Sequence, residues 1–460
     1  MSLVTVNIDD KSYEAKENSL LIDLLILHDI KVPYFCYHES LGADGNCRMC
    51  MVEIEGKKRP QIACDTFVSD GMSIQTASEK ISSVRKRILE LELINHPVDC
   101  PICDQAGECK LQDYYMDFGL YDSNIDMKEK VHNKKHIALG SSVILDRERC
   151  VLCTRCVRFT SNITKSGELG VINRGDKACI STVPGMKLDN PYAMNVVDLC
   201  PVGALTSKEF RFAQRVWFLK STPSICHGCS TGCNIFIDHN QEKYKEDKIY
   251  RIRPRKNREV NGDFICDYGR LSYKNLQENR QQELLNKSNV ISYEDALLEL
   301  NSKISGSKNI VILVDANLYN EDIAAISNFS QKIGAKLVCP TECYFDDSFG
   351  DDWLKSDYKC ANLQAIKNYK IDSLFSSDQQ IDLLINFNHP SFSKFSSKQS
   401  VEFSTHKGSS AELVLAIPAY SEYSGTTIND ANIEQYSQKA ITTDVATISE
   451  YLSDLSKVAL

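Results

Sequence analysis

The spacing of cysteines constrains this chain more than any other feature. Cys36, Cys47, Cys50 and Cys64 are arranged C-x10-C-x2-C-x13-C, and His96 leads Cys100, Cys103 and Cys109 as H-x3-C-x2-C-x5-C. Two more groups follow: Cys150, Cys153 and Cys156 with a distant Cys200, then Cys226, Cys229 and Cys233 with Cys266. Of the nineteen cysteines, only Cys179, Cys339, Cys343 and Cys360 stand outside these groups. Thiols so spaced are either a disulfide framework or metal ligands. The first residues carry neither a basic stretch followed by an apolar one nor a twin-arginine pair, so export is not expected. A reducing compartment favours metal ligation, and four groups in one chain point to iron-sulfur clusters and electron transfer.

Each group has its own chemistry. In the first, Gly42 and Gly45 let backbone N–H groups approach sulfur without a Cβ in the way. Four thiolates there suit a 2Fe-2S cluster, and the ten-residue first gap sets it apart from the plant-type C-x4-C-x2-C ferredoxins. A zinc knuckle at Cys47 and Cys50 is the alternative. The second group has three cysteines, so a 4Fe-4S cluster needs one more ligand. The neutral imidazole of His96 can supply it, and a histidine in place of a thiolate removes negative charge and raises the reduction potential. Standing alone, His96 would read as an ordinary surface or core residue. In the third group, C-x2-C-x2-C with a remote Cys200-Pro201 is a bacterial ferredoxin pattern. Pro201 lacks an N–H and fixes the turn that presents the sulfur. The fourth group suits a further 4Fe-4S cluster or a zinc ribbon. Cys179 reads as a small buried hydrophobe, and so do the thiols around Cys339-x3-Cys343 and Cys360. The basic run Arg251 to Arg258 reads as local charge compensation rather than an anion site. Lys134-Lys135-His136 reads as solvated surface.

At 460 residues the chain should hold several domains. A formal charge of −9 argues against a binder of nucleic-acid phosphates. The longest apolar stretch, Ser19 to Ile30, is interrupted by Asp23 and His28 and is too short to span a bilayer, so a soluble, cytoplasmic protein is expected. Residues 3 to 8 and 11 to 15 read as strands around an Asp9-Asp10 turn, Asn18 as the N-cap of a helix from Ser19 to about His28, and Met51 to Ile54 and Met72 to Gln75 as later strands. That order suits a small β-grasp unit. Ile81, Val84, Ile88, Leu91 and Ile94 mark a helix over residues 78 to 95, ended by Pro97. From about residue 288 an α/β pattern takes over, with buried strands at Asn309 to Asp315, Ala335 to Cys339, Leu383 to Asn386 and Glu412 to Ile417. Serine-rich stretches at 373 to 377 and 391 to 400 read as surface loops. Neither a GxGxxG turn nor a GxxxxGK[ST] loop is present, so no NAD or ATP site is expected.

The first three groups in this order, together with Asp198-Leu-Cys200-Pro-Val-Gly-Ala-Leu205, resemble the G subunit of respiratory complex I, the NADH-quinone oxidoreductase, and its mitochondrial 75 kDa counterpart. The fourth, with Asn261-Gly-Asp-Phe-Ile-Cys266-Asp-Tyr-Gly269-Arg270, resembles the cluster domain that opens molybdopterin oxidoreductases. Later, Pro418-Ala-Tyr-Ser-Glu422-Tyr-Ser-Gly425-Thr-Thr-Ile-Asn429 is similar to the P-x3-E-x2-G-T-x2-N element of the same family, but the Gly-Arg expected after Asn429 is missing and only 194 residues follow Cys266.

The resemblance implies an α+β multidomain chain: a β-grasp 2Fe-2S ferredoxin domain (1–77), a 4Fe-4S domain with one histidine and three cysteine ligands (78–120), a 4Fe-4S ferredoxin-like domain (121–217), a molybdopterin-type 4Fe-4S domain (218–275) and a shortened α/β remnant (276–460) with a scaffold role at most. It implies one 2Fe-2S and three 4Fe-4S clusters, with no molybdopterin, FMN or NAD on this chain. The implied partners are a flavin-bearing or other donor subunit and the cluster-bearing connecting subunits of complex I, peripheral to the cytoplasmic side of the membrane. Electrons would go from the donor to the first group, then the third, then the second, and on toward quinone, with the fourth off that path. The cluster-bearing subunit of a formate dehydrogenase or NAD-linked hydrogenase is the rival. A formate dehydrogenase, however, needs a complete molybdopterin domain.

Overall fold

The structure is a computed structural model that describes residues 2–119, 126–240, 248–373 and 380–458. It contains two compact units that meet in sequence at Trp217 and Phe218. The expected division at residue 120 and most of the serine-rich stretch 373 to 377 lie outside the described residues.

The first unit opens with a hairpin of β1 (Leu3–Ile8) and β2 (Lys11–Lys16), turned by Asp9 and Asp10, both at positive φ. Alternation along β1 buries Val4, Val6 and Ile8. Helix α1 (Leu21–Leu27) lays Leu21, Ile22, Leu24 and Leu25 on that face. Strands β3 (Met51–Ile54), β4 (Gln61–Ile62) and β5 (Ser73–Gln75) complete a mixed sheet in the order β2-β1-β5-β3-β4, with β1 and β5 parallel. Asn18 does not cap α1. It sits at φ 61° and turns the chain, and Leu20 occupies the cap position without a side-chain bond.

Helix α2 (Glu79–Leu93) starts on Ser78, whose hydroxyl accepts from the Ile81 N–H at 3.2 Å. Its inner face is Ile81, Arg85 and Leu89, whereas Leu91 is 67% exposed. The expected apolar stripe is therefore rotated, because a buried arginine holds one of its places. Arg85 donates to the Met51 carbonyl at 3.0 Å and lies over the Phe118 ring. After α3 (Lys110–Phe118) come β6 (Ile137–Ala138), β7 (Val143–Leu145), α4 (Arg155–Arg158), the hairpin β8 (Leu169–Ile172) and β9 (Cys179–Thr182), α5 (Asn195–Leu199) and β10 (Leu205–Ser207). Strands β10, β7 and β6 form a small sheet. The basic patch is more than solvated surface: Lys135 binds Glu148 at 2.9 Å and Asp99 at 3.1 Å.

In the second unit β11 (Leu219–Ile225), β12 (Asn234–Asn240) and β13 (Ile249–Pro254) form an antiparallel sheet. Across it Arg251 and Arg253 each place Nε 2.6 Å from Asp238 Oδ2, so the charge they compensate is a carboxylate on the neighbouring strand. Short helices α6 (Asp267–Leu271) and α7 (Tyr273–Gln277) lead through β14 (Leu285–Asn286) and β15 (Asn289–Val290) into an α/β layer. There α8 (Tyr293–Ser305), β16 (Ile310–Val314), α9 (Asn320–Ile333), β17 (Lys336–Val338), α10 (Leu363–Asn368), β18 (Ile381–Phe387), β19 (Ser397–Ser404) and β20 (Leu413–Ala416) build a sheet ordered β15-β14-β20-β19-β18-β16-β17. A hairpin of β21 (Gly425–Ile428) and β22 (Glu434–Ser437) and a helix, α11 (Ile448–Val458), follow.

The stretch expected as a loop at 391 to 400 instead runs into β19, which lies between β18 and β20 and is parallel to both. Its serines hid a strand whose Val401 and Phe403 are fully buried. Phe403 stacks on Phe387 at 4.4 Å and meets Tyr451 edge-on. Phe403→Ala should cost about 3 to 5 kcal/mol in urea unfolding of the full chain; a loss under about 1 kcal/mol would mean that this strand is not central.

Candidate iron-sulfur sites

The first cysteine group gathers around the loops flanking β3. Cys36 follows α1, Cys47 and Cys50 precede β3, and Cys64 lies in the tight turn Ala63–Asp65 after β4. Cys47 Sγ is 3.4 Å from Cys36 Sγ, and Cys64 hydrogen-bonds to both Cys36 and Cys50. This sharing of protons between sulfurs lowers Cys36 and Cys50 below the ordinary thiol range and raises Cys47 and Cys64 above it. Gly45 takes a φ of 69°, and a side chain there would press on Ile62 at 3.1 Å. The Phe35 N–H points at Cys47 Sγ from 3.5 Å.

Cys150, Cys153, Cys156 and Cys200 line one small cavity, otherwise walled by groups such as Val151, Ile180 and Val202. The chain alternates sharply between these cysteines, with Leu152 at φ 49° and Thr154 at φ 61°. Two non-glycine residues held left-handed in one short loop are a local strain that aims three thiols at the same space. Composition alone gave no sign of it. Burial pushes the Cys153 thiol up to about 12, with the Cys200 charge adding to the effect.

The histidine group lies beside the third. Lys110 N donates to the Pro201 carbonyl at 2.9 Å, and Cys109 and Cys200 feel each other's charge. A Cβ on Gly203 would stand 2.2 Å from Cys103 Sγ, so that sulfur occupies the space a side chain would need. His96 and Cys103 face the same buried ion pair, Asp99 with Arg149 at 2.7 Å. Burial lowers the His96 pKa to about 4, leaving a neutral imidazole with a lone pair to give. The same burial pushes Cys109 up to about 11.

In the second unit Cys226, Cys229, Cys233 and Cys266 are all buried and couple electrostatically. The Gly228 and Gly269 N–H groups each point at a sulfur, Cys226 and Cys266 respectively, from 3.4 Å. A Cβ on Gly269 would come within 2.7 Å of Cys226 Sγ. The loop between these cysteines is held by the late hairpin. Asn429 Nδ2 donates to Thr231 O at 3.1 Å and Gln435 Nε2 to Gly232 O at 2.8 Å, while Ser230 Oγ reaches Cys360 O at 2.7 Å. Asn429 belonged to a recognisable sequence element, but Gln435 and Ser230 gave no advance signal.

The remaining thiols join no group. Cys339 and Cys360 are buried, but Cys343 is exposed and Cys179 only half-buried at the start of β9, which corrects the expectation for both. Cys343 donates to the Pro340 carbonyl at 3.1 Å. Among the described residues no three or more His, Cys, Asp or Glu side chains are arranged to hold a lone metal ion.

None of the nineteen cysteines forms a disulfide. A buried thiol resists ionisation unless a cation stabilises the thiolate, and bound iron supplies that charge. Backbone N–H groups aimed at sulfur, and glycines where a Cβ would strike it, fit thiolate-ligated clusters. Sequence-family models agree with this chemistry. The 2Fe-2S iron-sulfur cluster binding domain matches residues 2–79, the NADH-ubiquinone oxidoreductase-G iron-sulfur binding region 85–124, the NADH-quinone oxidoreductase subunit 3 ferredoxin-like domain 140–206, and the molybdopterin oxidoreductase Fe4S4 domain 219–278. The NADH-ubiquinone oxidoreductase 75 kDa subunit of Reclinomonas americana is 37% identical over 73% of this chain and 49% of its own length. The NADH-quinone oxidoreductase G subunit of Rickettsia conorii is 33% identical over 83% of this chain and 55% of its own. The chain belongs to the family of the NADH-quinone oxidoreductase G subunit.

It spans about half the length of these G-subunit relatives. Among solved structures, an NAD+-reducing NiFe-hydrogenase in the H2-reduced state matches with a TM-score of 0.42 and 28% identity, over 46% of this chain and 91% of that one. No described helix is long and apolar enough to cross a membrane. If Cys103 of this G-subunit homologue sits as tightly in its loop as the geometry shows, Gly203→Ala should displace its sulfur. With Cys103 as a ligand of a 4Fe-4S cluster, as its spacing predicts, iron analysis should then find about four fewer irons per chain; full iron content would show that the loop yields.

Proposed function

We propose that this chain is the electron-transfer iron-sulfur subunit of the peripheral arm of a proton-translocating NADH-quinone oxidoreductase. It takes electrons from a flavin-bearing or alternative donor subunit and delivers them, through the connecting cluster-bearing subunits, toward quinone on the cytoplasmic side of the membrane. Cys36, Cys47, Cys50 and Cys64 hold a 2Fe-2S cluster. His96, Cys100, Cys103 and Cys109 hold one 4Fe-4S cluster, Cys150, Cys153, Cys156 and Cys200 a second, and Cys226, Cys229, Cys233 and Cys266 a third. When bound, such clusters take up and release single electrons.

The work of the chain itself is placement, burial and charge. The observation that carries this reading is the order in which the groups adjoin. Arg158, on the helix of the third group, donates to the carbonyls of Gly42 at 2.8 Å and Leu41 at 3.1 Å in the loop of the first. Lys110 and Gly203 then tie the third group to the histidine group. First, third, second is the order of electron transfer that the family resemblance implies. The fourth group belongs to the other compact unit, and the resemblance leaves it off that path. Family models named for iron-sulfur binding over the first, second and fourth groups support clusters over zinc. In the shortened α/β segment, Asn429 and Gln435 brace the fourth cysteine loop as a scaffold, and that segment holds no molybdopterin.

Purified, reconstituted protein should contain about fourteen irons per chain with matching acid-labile sulfide, and no molybdenum. Zinc with a silent EPR spectrum would end the reading. His96→Cys should still assemble its cluster but lower its midpoint by on the order of a hundred millivolts in redox-poised EPR. An unchanged midpoint would remove His96 from the ligands.

A further inference from the structure

Between the first and third cysteine groups lies a buried cation that no ligand role explains. Arg155 stands between Cys153 and Cys156, and is 5% exposed. Its Nη2 donates to the Tyr37 carbonyl at 2.5 Å and its Nη1 to the Leu199 carbonyl at 3.2 Å. Tyr37 follows Cys36, and Leu199 precedes Cys200. One guanidinium thus grips the backbone beside a cysteine of each group. The Tyr34 ring lies over it at 5.9 Å. Arg155 Nε is buried with no hydrogen-bond acceptor.

The neighbouring arginine differs. Arg158 is only partly buried, and its guanidinium bonds reach the first group's loop and Thr154. Arg149, beside the histidine group, has Asp99 and Asp146 as counter-charges. No carboxylate pairs with Arg155 among the described residues. A buried guanidinium left without an anion is costly. Its field falls on the sulfurs of Cys153 and Cys200. The missing negative charge is what four thiolates around iron would bring.

We infer that Arg155 is a positioning residue that fixes the first cysteine group against the third and, through its unpaired charge, raises the reduction potential of the cluster held by Cys150, Cys153, Cys156 and Cys200. The inference rests on the cluster assignment and goes beyond it: a cation at this point makes the third site the better electron acceptor of the two it bridges. A planar guanidinium can hold two carbonyls at once. A lysine in its place keeps the charge as a compact point on a flexible stem and does not reproduce the rigid fork that spans both carbonyls.

The test is redox-poised EPR on the iron-loaded full chain and its Arg155→Gln and Arg155→Lys variants, each with iron and sulfide measured. Arg155→Gln should lower the reduced-to-oxidised ratio of the third-group cluster about tenfold at the wild-type midpoint, ~59 mV for one electron. Arg155→Lys should hold that midpoint to within about a third of the Gln shift, yet change the microwave-power saturation of the 2Fe-2S signal about twofold, because the rigid two-carbonyl grip is loosened while the charge stays. If Arg155→Gln loses iron, Arg155→Lys decides alone. A held midpoint with altered saturation supports the inference, and saturation equal to wild type overturns it. Iron-replete Arg155→Gln with unchanged midpoints also overturns it, as does a Lys variant shifted as far as Gln. Absence of sulfide from the wild-type chain would overturn the cluster assignment and this inference together.

Discussion

Everything in this molecule turns on the cost of burying sulfur. Fifteen cysteines and one histidine are gathered in four groups, and burial drives thiols such as Cys109, Cys153 and Cys266 toward the protonated form. A chain does not hold so many ionisable groups inside two modest units unless a bound cation repays the burial. The local backbone follows from that requirement. Leu152 and Thr154 accept left-handed conformations, Gly203 and Gly269 leave room for sulfur, and backbone N–H groups turn inward.

The ionic framework around the groups is graded. Asp99, Asp146 and Glu148 face Lys135 and Arg149 beside the histidine group, and Lys130 donates to the His96 carbonyl, so His96 lies in a largely desolvated setting where charges of both signs are paired. Around the third group the balance is left open at Arg155. Two cysteine loops of one chain therefore differ in the electrostatics set by their own side chains.

Spacing made the four cysteine groups legible because most members of each stand close along the chain, and only Cys200 and Cys266 had to be recruited from afar. The first strands and most of the α/β sheet were equally plain, since alternation in β1 and apolar runs in β16 and β18 reflect burial directly. The failures share a cause, which is polar residues inside. Arg85 is buried on α2 through a carbonyl and an aromatic face, so the apolar count chose the wrong stripe. Strand β19 begins with serine, lysine and glutamine, and its buried half came too late to register. Asn18 looked like a cap but serves a turn. The bracing of the fourth loop by Gln435 spans two hundred residues of sequence, beyond the reach of any local rule.

That bracing also bears on which parts of the second unit depend on each other. The carbonyls of Thr231 and Gly232 are satisfied by side chains from the late hairpin, and Ser224 meets Ser437 at 2.7 Å. Two stretches about two hundred residues apart in sequence are thus bonded directly to each other. Removing the hairpin would strip polar partners from the loop that carries Cys229 and Cys233.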